Sequence, residues 1–374
     1  MKLSTGISLL GLGLGVAGFA VSNQGCSSDD TPSGGGAKVG QPPERPSGAA
    51  PSDTPARNFA LYSLSLGEAD RSGATNPNAW KKYGYNLDGV VSTKSSTDVC
   101  KLAPGASSAT QEDGDNGIDN SFGKNILPIL QNFASTPSKT INESLQDGSF
   151  TIMLDIKGLT DDPKQTNTGL GGRLLVGANF KGPDGKNAKP GFTASDDWPY
   201  RADPIVPITD AYITNGTFVN GSGGAQVKLA LVIQGVSLDL TINRAIITFD
   251  HTAPAEITNG TIAGVVSTKE LEDGITKVAG RISPSLCQGG TLESILNTIR
   301  QASDINADGT NKAGVACDAI SIGLGFTGKQ IGAPNKVAEP DPPSPDPCTN
   351  PPADAGTDSG GGGTDSGSGD AATD

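Results

Sequence analysis

The chain has 374 residues, of which 34% are hydrophobic, 18% charged and 52 glycine, with a formal net charge of −13. No heptad pattern, long apolar span or uniformly polar composition dominates it, which excludes a coiled coil, a membrane-helix bundle and a wholly disordered chain. The acidic balance excludes a protein built to coat nucleic acid.

The first segment is an address. After Lys2, the residues from Ile7 to Val21 form a glycine-rich apolar run of 15. A bilayer-spanning helix needs about 20 apolar residues, whereas a secretion signal needs only about 7 to 15 before its cleavage site. Residues 1–25 are therefore predicted to be a removable export signal. The stretch Ser22-Asn23-Gln24-Gly25-Cys26-Ser27-Ser28 resembles the lipid-attachment box of bacterial lipoproteins, although Asn23 stands where that family usually carries Leu. The resemblance implies that the Cys26 thiol is acylated and its amine becomes the mature N-terminus. Ser27, in a place where Asp marks inner-membrane retention, points to the outer membrane or cell surface; simple secretion is the alternative. Two or more acyl chains are needed for stable anchoring, and the lipoprotein modification supplies them. Residues 26–56 then read as a lipidated, flexible linker.

The body is expected over residues 57–338, enough for one large domain or two small ones. Strand signals come in order at Asn58 to Gly67, Phe150 to Leu159, Gly172 to Phe180, Asp210 to Val219, Gln226 to Phe249, Ala255 to Val266 and Ala319 to Gly328. Within the longest, Val236, Leu238, Leu240 and Ile242 alternate with Ser237, Asp239, Thr241 and Asn243, the period of a strand with one wet face. Helical stripes interrupt the pattern: Phe122, Ile126, Ile129, Leu130 and Phe133, bent at Pro128; a second after the capping box Ser267-Thr268-Lys269-Glu270; a third from Thr291. These features predict a mainly β fold, an antiparallel β-sandwich with three or four peripheral helices, flanked by disordered termini. The tail, residues 339–374, is rich in Pro, Gly, Ser and Asp and carries eight acids without Lys or Arg, so more than half of the net charge belongs to a solvating segment. Its composition and the Gly-Cys-Ser-Ser junction resemble lipid-anchored surface proteins of large-genome, soil-type Gram-negative bacteria.

Besides Cys26 there are four cysteines, an even number that predicts two disulfides in an exported chain. Cys287 and Cys317 bracket a predicted helix and are expected to pair, leaving Cys100 for Cys348. Calcium is expected at two clusters of oxygen side chains. Asp304, Asn306 and Asp308 alternate before Gly309 like the first half of a calcium loop, with Asp318 as a distant ligand because Val315 stands where a bidentate acid is required. Asp113, Asp115 and Asp119 alternate in a Gly-rich segment ahead of the Phe122 helix and serve equally as calcium ligands or helix caps. Two aromatic groups, Trp80 with Tyr83 and Tyr85 and Trp198 with Tyr200, are candidates to stack on glycan rings, or to pack under loops. His251, the one histidine, reads as a loop residue and excludes a multi-histidine zinc site.

The chain is therefore read as an exported, lipid-anchored surface protein, non-enzymatic, with a calcium-stabilised body serving adhesion, envelope structure or glycan binding. Its partners are the membrane through the lipid and a carbohydrate or envelope protein, not nucleic acid. The alternative is a secreted polysaccharide hydrolase or lyase using paired carboxylates, whose spacing leaves no sequence signature.

Overall fold

Strands whose side chains alternate in burial must bury one face somewhere, and here they bury it against one another. The computed structural model describes residues 40–132, 136–221, 225–233, 236–287, 290–339 and Cys348. Among the described residues nine strands form: β1 (Arg57–Ser65), β2 (Thr151–Lys157), β3 (Asn167–Gly177), β4 (Tyr200–Thr214), β5 (Thr217–Val219), β6 (Ala225–Ile233), β7 (Val236–Ala253), β8 (Glu256–Ser267) and β9 (Ala319–Gln330). Every pairing between them is antiparallel.

The sandwich expectation is corrected. The ladder runs β5-β4-β3-β2-β1-β9-β8-β7, and β5 returns to β7 through Thr217↔Asp250, Phe218↔Phe249 and Val219↔Thr248. An eight-stranded antiparallel barrel is thus closed. Closure depends on the length of β7, 18 residues: its first half pairs with β6 and its second half with the short β5. The run from Gln226 to Phe249, continuous in composition, is therefore a hairpin of two strands. Closing the ring removes the two edges that a sandwich leaves on each sheet.

The interior is filled. Phe59, Leu61, Ile152, Leu154, Leu174, Ile208, Leu240, Ile242, Ile320, Ile322 and Leu324 belong to one buried cluster, and Phe218 stacks on Phe249 across the closing seam at 4.6 Å. Apolar side chains that point inward are the inverse of a bilayer-spanning barrel, which turns its apolar face outward. Part of the outer surface is also covered. Segment 178–200 packs Phe180, Trp198 and Tyr200 on Ala60, Met153 and Leu175, and Leu87 and Ile305 lie against Val265 and Ala319. This double cover explains why residues 151–154 of β2, 262–266 of β8 and 319–326 of β9 read as nearly unbroken apolar runs. Among the described residues no helix is long and apolar enough to cross a membrane.

Among the described residues four helices accompany the barrel and add side chains to the same buried cluster: α1 (Leu127–Gln131), entered through a π-helical turn at Phe122–Ile126, α2 (Pro137–Asp147), α3 (Thr268–Ile282) and α4 (Gly290–Gln301). Ser267 caps α3 by accepting from the Glu270 amide, and Leu271, Ile275 and Val278 are its buried stripe. Helix α2 escaped the sequence reading because it buries only Ile141 and Leu145 among its large apolar side chains.

Residues 40–56, read from composition as part of the tether, are hydrogen-bonded to the barrel: Gly158 donates to Thr54, Thr168 to Ala50 and the Tyr212 hydroxyl to Pro43. The folded body accordingly begins before Arg57. The segment read as an export signal, Cys26, the rest of the segment read as a linker and most of the tail lie outside the described residues, as does Phe133.

The expected disulfide pairing is also corrected. All four cysteines are bridged, but as Cys100–Cys317 and Cys287–Cys348, with Cα separations of 5.2 and 5.1 Å. Helix α4 and the loop after it do not fold Cys317 back onto Cys287. Instead Lys101 exchanges backbone hydrogen bonds with Val315 and Cys317, which seats Cys100 beside Cys317.

Candidate functional site

The first part of the β1–β2 connection forms a cap, with Tyr83, Gly84 and Leu87 over the outward side of β8 and β9, while Phe122, Ile126, Leu127, Leu130, Ile141 and Leu145 of its helical part join the interior cluster; the loop 302–318 leading into β9 meets the cap. Odd-numbered residues of β9 face outward, which puts Ser321 and Gly323 under the cap. Asn120 is the fastener. Its Nδ2 donates to the carbonyls of Trp80, Tyr83 and Gly323 at 3.0 to 3.1 Å, and its Oδ1 accepts from the amides of Gly123 and Gly323. Replacing Asn120 by Asp turns a donor into an acceptor facing three carbonyls. Each buried polar group left unmatched costs about 1 to 3 kcal/mol, so N120D is expected to lose at least about 3 kcal/mol in a urea titration. A loss no greater than that of an exposed Asn-to-Asp control would remove Asn120 from this role.

Next to this fastener, acids from the two predicted loops come together. Asp304 is buried; its carboxylate accepts from the Ser321 amide (2.9 Å) and hydroxyl (2.5 Å), while that hydroxyl accepts from the Ser121 amide. Asp119, 3% exposed, accepts from the Leu87 amide at 2.7 Å, with Asp113 close enough for their charges to interact. Asp113 accepts from the Ser92 amide at 2.5 Å. Asp88, absent from the sequence reading, completes the group and is held by the Val90 amide and the Asn311 side chain. Its place in Leu87-Asp88-Gly89 reads as a turn, and only the fold brings it to the others.

Burial and like charge act together on these carboxyls. Burial foremost, together with the charge of Asp88, raises Asp113 to about 7 against the hydrogen bond from Ser92. Asp304 also rises to about 7, again chiefly through burial, opposed by the hydrogen bonds from Ser321. Burial, then the charges of Asp88, Asp113 and Asp304, push Asp119 well above the carboxylate range. Lys124 is the nearby cation, yet its ammonium is engaged with the carbonyls of Ala109 and Glu112, and burial lowers its pKa. Ser92, 3% exposed, carries a hydroxyl with no hydrogen-bond partner beside Asp113.

The remaining predicted ligands are turned to other tasks. Asp115 is exposed at the surface turn Asp115–Gly117. Asn306 accepts from the Lys312 amide and donates to Ala316; Asp308 pairs with Lys312 and accepts from Thr310; Asp318 accepts from the Ala307 amide. The structure thus brings Asp113, Asp119 and Asp304 together and leaves Asp115, Asn306, Asp308 and Asp318 apart. Among the described residues no three His, Cys, Asp or Glu side chains are spaced, as they stand, to hold a metal ion.

The aromatic candidates are mostly enclosed. Trp198 is fully buried and donates to the Ala178 carbonyl. Tyr83 is buried, donating to Ala69 beneath the Arg71 guanidinium. Tyr85 bonds Thr248, and Tyr200 packs beside Arg173. Trp80 is 7% exposed, with two lysines over its ring. His251 is not a loop residue: it lies at the interior end of β7, edge-on to Phe59 at 5.7 Å, with neither ring nitrogen paired. Compared with protein-family models, curated proteins and solved structures, the chain matches none.

Proposed function

We propose that the protein is an exported, lipid-tethered and non-enzymatic barrel that stands off a membrane surface and serves adhesion or envelope structure. The observation that carries this reading is the expenditure of its chemistry on its own fold. The barrel interior is packed with side chains, and Asp113, Asp119 and Asp304 are engaged with Ser92, Leu87 and Ser321 beneath the cap. Paired carboxylates for glycoside cleavage would instead flank a bond held in an open cleft.

Calcium belongs to the same proposal. Four acids near one another under a cap, faced by one lysine, hold charge that protons or a hard cation must offset, and oxygen donors suit calcium. A cation would displace the protons that burial favours on Asp113 and Asp119 and draw both carboxylates toward it. Asp88, Asp304 and the unpaired Ser92 hydroxyl are the further oxygens within that neighbourhood.

The tether is tested by growing cells expressing the chain with labelled palmitate. Label is expected in the membrane fraction for the natural chain and none for C26A. A wild-type chain recovered unlabelled and soluble would sink the surface reading.

A further inference from the structure

One end of the barrel is closed by a loop. Residues 158–166 leave β2 at Gly158, where φ is +92°, pass beside the β4–β5 turn and continue into β3. Leu159 belongs to the buried cluster of the barrel. Gln165, 2% exposed, holds the loop to itself: its Nε2 donates to the Gly158 carbonyl and its Oε1 accepts from the Thr160 amide. In the β4–β5 turn the Gly216 amide donates to the Gln165 carbonyl. Between these points Asp161, Asp162, Pro163 and Lys164 are exposed, and no residue of the loop belongs to a strand. Arg57, at the start of β1, clamps it. The guanidinium donates to the Leu159 carbonyl at 3.2 Å, pairs with the Asp161 carboxylate at 2.7 Å and reaches the Pro254 carbonyl at 3.4 Å.

His251 is the unexplained group at this end. It is 2% exposed, its backbone amide donates to Gly216, and its ring stands edge-on to Phe59 with neither nitrogen paired. A neutral imidazole carries one N–H donor and one acceptor. Leaving both buried and unmatched is destabilising, so an apolar side chain would suit the closed form better. Arg57 on β1 and Asp161 in the loop are the charges that act on the ring, and the first outweighs the second: burial, then Arg57, lower its pKa against the Pro254 carbonyl and Asp161. Asp162, Lys164 and Glu256 are exposed, and the β4–β5 turn carries no charged residue. Asp250, the preceding residue in β7, accepts from Thr217 and Asn259 on the outer face.

We infer that loop 158–166 is an acid-released lid on this end of the barrel and that His251 is its trigger. An imidazolium has two N–H donors; in the closed form it would find no acceptor and would stand near the Arg57 guanidinium. Protonation therefore favours a form in which Arg57 releases Leu159 and Asp161, Leu159 leaves the core and water reaches the ring. The barrel then presents in acid an apolar mouth that it conceals at neutral pH. This device is independent of the surface reading.

The test is hydrogen exchange of the purified full chain at pH 7.5 and 5.5, corrected for the intrinsic pH dependence of amide exchange and read by mass spectrometry. The lid peptide contains the Thr160 and Gln165 amides, which donate to Gln165 and Asp162. It should open about ten-fold more often at pH 5.5, as expected when opening frees one histidine of pKa about 6.5. Peptides containing the Gly123 and Gly323 amides, bonded to Asn120, should not follow it, because the acid cluster gains stability over the same range. H251F cannot take up the proton and should remove the pH dependence of the lid; if H251F fails to fold, H251L takes its place with the same expected result. The one histidine also gives a single imidazole C2–H resonance, expected to titrate below pH 6.5 in the folded chain. Lid exchange that is unchanged by pH, that rises equally in lid and cap, or that keeps its pH dependence in the His251 variant overturns the inference, as does a resonance that titrates at pH 6.5 or above.

Discussion

In buffer containing EDTA, the folded chain is expected to lose stability steadily from about pH 5 to about pH 7.5 and to level off above. The sign follows from the direction of the shifts. Asp113 and Asp304 are pushed up to about 7 in the fold, against 3.8 unfolded, and Asp119 is also raised well above 3.8. Between those values the folded state holds protons that the unfolded state has released, so unfolding free energy falls as pH rises, by about 1.4 kcal/mol per proton and pH unit. For the buried Asp304 alone this amounts to about 4 kcal/mol between pH 3.8 and about 7, of which about 3 kcal/mol falls above pH 5. His251 works the other way: burial, then the charge of Arg57, lowers it below 6.5, so one proton opposes the three carboxyls at the acid end. Asp70 and Asp308, lowered by hydrogen bonds from Ser72 and Lys312, lose their contribution only below about pH 4. Maximum stability should therefore lie near pH 4 to 5.

Calcium should reverse much of this fall, since an ion at the cluster replaces the protons. At a hundred-fold excess over Kd it adds about 2.7 kcal/mol. D119N imitates the protonated form, keeps an acceptor for the Leu87 amide and should flatten the pH dependence while abolishing the calcium effect. Urea titrations from pH 5 to 8 with EDTA or calcium provide the check. Stability that rises through this range in EDTA would contradict the cluster's burial, and identical curves with calcium and EDTA would remove the cation.

Replacing both Cys100 and Cys317 by Ala is expected to cost about 5 kcal/mol, because the bridge closes a loop of 217 residues and restrains the unfolded chain accordingly. The equivalent change at Cys287 and Cys348, separated by 61 residues, should cost about 4 kcal/mol. The first bridge has a second consequence. Cys100 Sγ lies 3.4 Å from the Asp304 carbonyl, so freeing the cap admits water to Asp304 and should also make the stability-against-pH slope shallower. Guanidinium titrations of the two double variants measure the costs. A loss below about 1 kcal/mol for C100A/C317A would mean that packing and Asn120 alone hold the cap.

The strands were legible because burial on one face leaves a period of two, and β1, β2, β8 and β9 fall where composition placed them. The helices α3 and α4 were legible from a cap and a stripe. Closure was not, since alternate residues face inward in a barrel and a sandwich alike; the deciding pair, Phe218 opposite Phe249, joins segments whose sequence carries no mark of it. The site shows the same division. The carboxylates of residues 113–119 and 304–308 were visible as loops, yet which of them meet depends on the facing of β9, which turns Ser321 outward to hold Asp304 and leaves Asp308 to Lys312.

By itself, the sequence determined the local matters: where the chain is punctuated, which segments are extended, that the cysteines would be bridged, and the composition of both ends. Only the tertiary structure decided the ring closure, the disulfide partners, the capture of residues 40–56, the gathering of Asp88 with Asp113, Asp119 and Asp304, and the enclosure of His251 near Arg57. The physical reason is that each of these joins residues far apart in the chain, and such contacts are set by packing the whole barrel and its cap at once rather than by the preferences of any one segment.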